Sequence, residues 1–255
     1  MKKMLITTTV LAALVANAQA ADIKKDGEWR GAAGLALSLA SGNTQSKSFV
    51  ANANVASITD MTKWAIYGNS ISGSTTSGNT TVSKVQWLLG TKYDYNLTPD
   101  YFAFGLANLE GDKGKNLNMR ATLGAGLGYH VIKTAQTTFD VFAGLAQTHD
   151  KYRNPQLINN SLTSSRNMTE ALLGEESNHV LSETVSLTQK LVVYPNLSSD
   201  GGYRAAFDAG VAVALNKTMN LNVGIIDRYS SLVAPGIKKN DIALFTGVSI
   251  KLGKD

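Results

Sequence analysis

The chain runs to 255 residues, with 24 Lys and Arg against 19 Asp and Glu, three His and no Cys. The basic surplus is small and its residues are scattered, which argues against a nucleic-acid partner. Without cysteine the fold cannot lean on disulfides, and a near-neutral mean hydropathy excludes a helical membrane protein.

The first twenty residues form a separate unit. Lys2 and Lys3 precede an apolar run from Met4 to Val15, and Ala18-Gln19-Ala20 is a small-x-small cleavage site, the pattern of a secretory signal peptide. The apolar run is too short for a membrane-spanning helix, which needs about twenty residues. Removing Lys2 and Lys3 leaves 22 basic against 19 acidic residues, a formal net charge of +3. The expected organisation is a signal peptide over residues 1–20, a periplasmic lead over 21–27 and a β-barrel over 28–255.

Trp29 opens the first expected strand, with Leu35, Leu37 and Leu39 on one face and Arg30, Gly34, Ala36, Ser38 and Ala40 on the other. After a break at Ser41-Gly42-Asn43-Thr44-Gln45, a second strand from Ser48 to Ser57 turns Asn52 and Asn54 inward. Thr59-Asp60-Met61 makes a tight return into the third strand, Lys63 to Ile71, which carries Trp64 and Ile66 outward. Ser72 to Asn79 reads as a glycine- and serine-rich loop. In the fourth strand Val85, Trp87, Leu89, Tyr93, Tyr95 and Leu97 face out while Lys84, Gln86, Lys92 and Asp94 face in. Thr98-Pro99-Asp100 leads to a fifth strand with Phe102, Phe104 and Leu106.

The sixth strand, Leu117 to Val131, is the clearest. Its odd positions from Leu117 through Leu123 and Leu127 to Val131 are apolar or Tyr, and its even positions are polar or glycine. Successive strand side chains point to opposite faces, so one face meets an apolar medium and the other a wet or crowded one. Alternation over so many residues exceeds the usual soluble strand of about six. The seventh strand, Thr137 to Asp150, shows Phe139, Val141, Ala143 and Leu145 against Asp140, Gly144 and Ala146. Lys151 to Ser165 reads as the longest loop. The eighth, near Arg166 to Ser182, carries adjacent Glu175 and Glu176, which cannot both face inward without a bulge. Strands at Val185–Tyr194, Tyr203–Asn216, Met219–Tyr229 and Asp241–Leu252 complete the set.

Short polar turns alternate with longer loops rich in Gly, Ser and Asn, the asymmetry of outer-membrane barrels with short periplasmic turns and longer outer loops. The expected fold is therefore all-β, a twelve-stranded antiparallel transmembrane barrel of the outer-membrane type, with both termini periplasmic. Its partners would be outer-membrane lipid and the barrel-assembly machinery.

Strand parity sends Arg30, Lys63, Lys84, Lys92, Arg120, Lys190, Arg204, Arg228 and Lys251 inward against Asp94, Asp140, Asp208 and Asp241. The candidate lumen-lining set is Arg30, Lys84, Lys92, Asp94, Arg120, Asp140, Lys190, Arg204 and Asp208. Such charges either form a packed network that closes the lumen or line an anion-leaning pore. Many small inward residues, among them Gly34, Gly124, Gly126 and Gly210, suggest a narrow water-filled passage.

Enzymatic chemistry finds little footing. A Ser–His site needs the hydroxyl within reach of an oriented imidazole, and among His130, His149 and His179 only His179 has a close serine. That serine, Ser182, sits three residues on, across the strand. Glu170, Glu175 and Glu176 beside His179 offer carboxylates for a hard cation, but ligands strung along one strand rarely converge. Gly124-x-Gly126-x-Gly128 is no nucleotide loop, because no helix follows it. No catalytic residue, cofactor or metal is expected.

Trp29-x-Gly31 followed by Ser41-Gly42-Asn43-Thr44, Gly126-Leu127-Gly128-Tyr129, Gly174-Glu175-Glu176, and Ser186-Leu187-Thr188-Gln189 ahead of Tyr194-Pro195 resemble the bacterial salt-induced outer membrane protein family. The resemblance covers nearly the whole mature chain. It implies an outer-membrane location and, in some member, a response to salt, and it carries no site residues; the expected porin-like barrel would sit in a Gram-negative envelope. The chain departs from the common pattern at its end, Ile250-Lys251-Leu252-Gly253-Lys254-Asp255, where barrels usually finish on an aromatic residue.

Overall fold

The period-two alternation becomes a continuous hydrogen-bonded sheet. The computed structural model describes residues 25–40, 44–77, 80–198, 201–235, 237 and 239–253. The expected signal peptide, residues 21–24 of the lead and Ser41-Gly42-Asn43 of the expected break lie outside them, while the rest of that break, Thr44 and Gln45, belongs to a strand. The strands are β1 (Trp29–Ala40), β2 (Thr44–Ile58), β3 (Thr62–Ser77), β4 (Thr80–Asn96), β5 (Tyr101–Asp112), β6 (Leu117–Lys133), β7 (Thr137–Ile158), β8 (Ser161–Val180), β9 (Val185–Pro195), β10 (Tyr203–Ala214), β11 (Met219–Ser230) and β12 (Asn240–Leu252). Each pairs antiparallel with its sequence neighbours, and β12 returns to β1 to close a twelve-stranded barrel.

Closure leaves two curved faces. The outer one carries Leu35, Leu89, Leu123, Leu127, Leu145 and Leu244, all exposed, a belt of apolar surface far larger than water-facing proteins tolerate and suited to lipid. Aromatic rings edge the belt. At the short-turn end Trp29 packs on Trp64 at 5.5 Å, Trp64 on Tyr93 at 6.3 Å and Tyr101 on Tyr129 at 5.0 Å. Tyr203 stacks on Tyr229 at 5.3 Å at the opposite end.

The short turns share one device. Thr59, Thr98, Thr134, Ser182 and Asn216 each accept backbone N–H groups two or three residues ahead through a side-chain oxygen, as at Thr62 (2.9 Å), Tyr101 (3.0 Å), Thr137 (2.9 Å), Val185 (3.1 Å) and Met219 (2.8 Å). Such side chains mimic a backbone turn and close the hairpin without a long loop.

Several expectations need correction. The loop expected from Lys151 to Ser165 is a hairpin, because β7 and β8 extend to a two-residue turn at Asn159 and Asn160, whose φ of 46° and 60° suit a type I′ turn. Likewise β3 continues to Ser77 and β4 starts at Thr80, where a loop was expected over 72–79. Beyond the apolar belt both faces meet water, so hydrophobic alternation stops although the ladder continues. Leu117 does not share the outward face, since a register shift between Leu117 and Met119 turns it inward against Tyr152 and Ile158. Glu175 and Glu176, which cannot both face inward without a bulge, divide between the faces: Glu176 faces the lumen, and Glu175 faces outward, where Gln189 Nε2 donates to it at 2.8 Å. Glu175 lies in the cross-strand row of Tyr101, Tyr129 and Val141, at the level of the aromatic girdle.

The register predicts the cost of charge at each face. Leu123, 65% exposed at mid-belt, should lose about 2–4 kcal/mol as Leu123→Arg, as basic residues do at the bilayer midplane. Asn69→Arg, in the wall of the interior cavity, should cost clearly less. Equilibrium unfolding of both variants in lipid vesicles checks the difference.

Candidate functional site

The inner face is where the chemistry lies. It encloses a cavity of about 480 Å³ that touches Glu28, Lys63 and Thr138 at the short-turn end and Gln156, Ile158 and Ile237 at the loop end. Arg30, Lys92, Asp94, Arg120, Asp140, Lys190, Arg204 and Asp208 border it. Lys84 pairs with Asp241 at 3.4 Å.

Strand parity also brings acids inside that the sequence reading left unplaced. Asp150 shares the parity of Asp140 on β7, and Glu110 and Asp112 share that of Phe102 on β5. Glu170 and Glu176 belong to β8, whose register was the one not readable. The expected excess of nine cations over four Asp shrinks accordingly: the cavity wall holds nine cations, Lys115 and Arg166 among them, and eight carboxylates.

These charges form clusters across strands. Arg120 on β6 grips Asp150 through two bonds of 2.5 and 2.7 Å and donates to Glu110 at 3.1 Å. Arg204 on β10 donates to Glu170 at 2.8 and 2.9 Å and reaches Thr122 on β6 and Thr148 on β7, each at 3.3 Å. Its guanidinium carbon lies 3.6 Å from the centroid of the Tyr194 ring. Together they form a bar that cuts across the lumen from β10 to β6 and β7. Nearer the short turns, Glu176 draws Lys63 at 2.8 Å, Lys190 at 3.4 Å and Lys92 at 4.0 Å. Toward the loop end Arg228 bonds Asp208 at 2.9 Å, and Lys115 meets Asp241 at 3.1 Å. At the short-turn rim Arg30 holds both carboxylate oxygens of Asp26, at 2.6 and 2.7 Å. That keeps the Asp26 carboxyl well below the usual carboxylate range.

Apolar side chains fill part of the same face. Phe102, Phe104, Phe142, Leu172, Val192 and Tyr194 form one buried cluster, and the Lys92 ammonium sits among three Phe rings at 4.9 to 5.6 Å, a cation–π arrangement. Two further glycines, Gly128 and Gly174, leave room for rings rather than for water. A Cβ on Gly128 would overlap Phe102, and one on Gly174 would overlap Phe142.

The histidines do not assemble a nucleophile. His130 contacts Asp140 at 2.6 Å and Asn96 at 3.1 Å, and His149 contacts Asn167 at 2.6 Å. His179 meets Thr137, while the Ser182 hydroxyl accepts from the amides of Thr184 and Val185. Glu170 and Glu176 are held by Arg204 and Lys63, away from His179.

Glu170 is almost wholly buried, so Arg204→Met should strand its charge and destabilise the barrel by about 3–5 kcal/mol. Adding Glu170→Gln should recover much of that loss, measured by urea midpoints in vesicles.

The chain is similar to several known proteins. It is 27% identical over 186 residues to the uncharacterized protein YdiY of Escherichia coli K12, covering 71% of this chain and 69% of that one. Among solved structures, an outer-membrane channel from Pseudomonas putida F1 aligns with a TM-score of 0.49 at 11% identity, over 94% of this chain and all of that one. The translocator domain of the autotransporter NalP from Neisseria meningitidis aligns at 0.46 and 12%, over 89% and 88%. Residues 33–251 match the model of a family described as protein of unknown function, DUF481, and the chain belongs to that family.

Proposed function

We propose that this protein is an outer-membrane barrel of a Gram-negative envelope that admits small polar solutes or ions through a narrow, water-filled lumen. The observation that carries the reading is the extent of the cavity, whose wall includes Glu28 and Thr138 at one end and Ile158 and Ile237 at the other. Its walls offer both signs of charge, so they suit zwitterions and small ions of either sign. The near balance of cations and carboxylates supports no anion preference. We assign it no enzymatic role.

The salt response implied by the family resemblance has a physical route in this lumen. Exposed charges are screened beyond about 3 Å at 1 M salt. Lys63–Glu176 and Lys84–Asp241 are partly exposed pairs and would loosen first, widening the passage. In planar bilayers the purified protein should show discrete conductance rising more steeply than that of the bath between about 0.1 and 1 M salt. Conductance that merely tracks the bath would remove the salt link, and silence would remove the passage.

A second reading, a non-conducting barrel serving envelope integrity, is favoured by one observation: Arg204 reaches from β10 to β6 and β7 across the lumen. Under that reading the native protein is silent, and Arg204→Met with Glu170→Gln opens conductance.

For orientation, we place the short turns in the periplasm. A peptide tag inserted between Asn159 and Asn160, the tip of the β7–β8 hairpin, should bind antibody on intact cells. One inserted at Lys217-Thr218 should not, and the reverse pattern inverts the orientation.

A further inference from the structure

Most neighbouring strands pair along nearly the whole of the shorter partner. β1 and β2 are in register from Trp29↔Ser57 to Ala40↔Ser46, and β11 and β12 from Met219↔Ile250 to Tyr229↔Asn240. The closing seam differs. β1 and β12 pair from Gly31↔Leu252 only to Leu35↔Val248, at the short-turn end. Above that point residues 36–40 and 240–247 remain paired with β2 and β11 but not with each other. Two strand edges thus face one another across the loop-side half of the seam. Unpaired edges are unfavourable in hydrocarbon, so this half must either zip by extending the register or hold something between its edges.

Just above the last pair, what lies behind the seam is apolar. Ala36 of β1 and Ala243 and Phe245 of β12 join Val50, Ile71 and Ile226 in a buried cluster, in a lumen otherwise rich in charge. Ile71 and Ile226 also border the cavity, so the cluster connects cavity and seam. The Phe245 ring lies against Gly224, where a Cβ would overlap it. On the outside, Leu35 and Leu244 flank the seam and are exposed. At the loop-end mouth the cavity wall is apolar again, with Leu232, Val233 and Ile237.

We infer that the loop-side half of the β1–β12 seam is a lateral port through which an apolar or amphiphilic molecule, of lipid acyl-chain chemistry, passes between lumen and bilayer, with Phe245 as its door. Around Ala36, Ala243 and Phe245 the inner wall of the seam is apolar, so an acyl chain crossing there stays in a matched medium, and the charged group of Asp241 with Lys84 and Lys115 lies further toward the loop end. The inference rests on insertion in a membrane and not on conduction along the axis.

The test uses vesicles in which some lipid carries a photoreactive diazirine on its acyl chain. After illumination, peptide mass spectrometry should find adducts on inward Phe245 and Ile226 as well as on outward Leu244 and Val248. The chain has no native cysteine, so a disulfide can lock the seam cleanly. Leu37→Cys with Thr246→Cys continues the register two rungs past the last pair. Its oxidation should abolish the inward adducts and leave the outward ones. Leu35→Cys with Val248→Cys, already opposite each other, is the oxidation control and should leave both sets unchanged. Adducts confined to outward residues in the native protein would overturn the port. So would inward adducts that persist in the locked variant, since lipid would then be entering by the mouth. Bilayer recordings of the same preparation keep the readings apart, because electrical silence with inward adducts removes the axial passage and leaves the port.

Discussion

The constraint on which the rest of this structure depends is that a backbone facing lipid has no water to bond. Every N–H and C=O in the belt must find a partner in a neighbouring strand, and only a closed sheet supplies one at both edges. From that follow the antiparallel order, the return of β12 to β1 and the lack of any need for disulfides. The same constraint explains the turns. A chain that must re-enter the sheet at once satisfies its turn amides with a nearby side-chain oxygen, supplied by Thr59, Thr98, Thr134, Ser182 and Asn216. It also makes the half-paired seam the weak point of the wall.

Closure creates a second problem, the filling of the interior. Ionised groups there have lost part of their hydration, and each must be paired or kept wet. The chain does both. Bidentate contacts such as Arg120–Asp150 and the Arg204–Glu170 bar take the most buried carboxylates. Lys63 stays partly exposed along the cavity, and Lys84 stays partly exposed beside Asp241. Apolar clusters occupy the remaining inner face, seated in part by glycines that leave space for Phe102 and Phe142. The lumen is therefore neither a packed core nor a uniformly charged ring.

The β7–β8 hairpin shows how the wall becomes a mouth. Above Leu145 the outward residues turn polar, with Gln147 bonded to Thr169 and His149 to Asn167. A register break between Lys151 and Gln156 then bends the arm inward. Asn116, in the left-handed region at φ 57°, holds the arm by accepting from the amide of Arg153 and bonding the carbonyl of Asn154. Tyr152 and Ile158 come to rest on Leu117 over the cavity.

The sequence by itself determined the number of strands, their order and the faces of most side chains. Each of these follows from period two against a lipid belt, which is written locally in residues such as Leu123, Leu127 and Tyr129. It also identified the inward cations, because parity needs no partner. Tertiary structure alone decided what those cations meet. Asp150, Glu170 and Glu176 reach Arg120, Arg204 and Lys63 through the shear of the barrel, and shear is a relation between strands that no single strand encodes. Strand length beyond the belt was hidden for a related reason. Where water wets both faces, hydrogen bonds hold β3, β4, β7 and β8 together while the hydrophobic signal vanishes. The inward turn of Leu117 and the early end of the β1–β12 ladder were equally hidden, since a bulge and a seam exist only between paired strands.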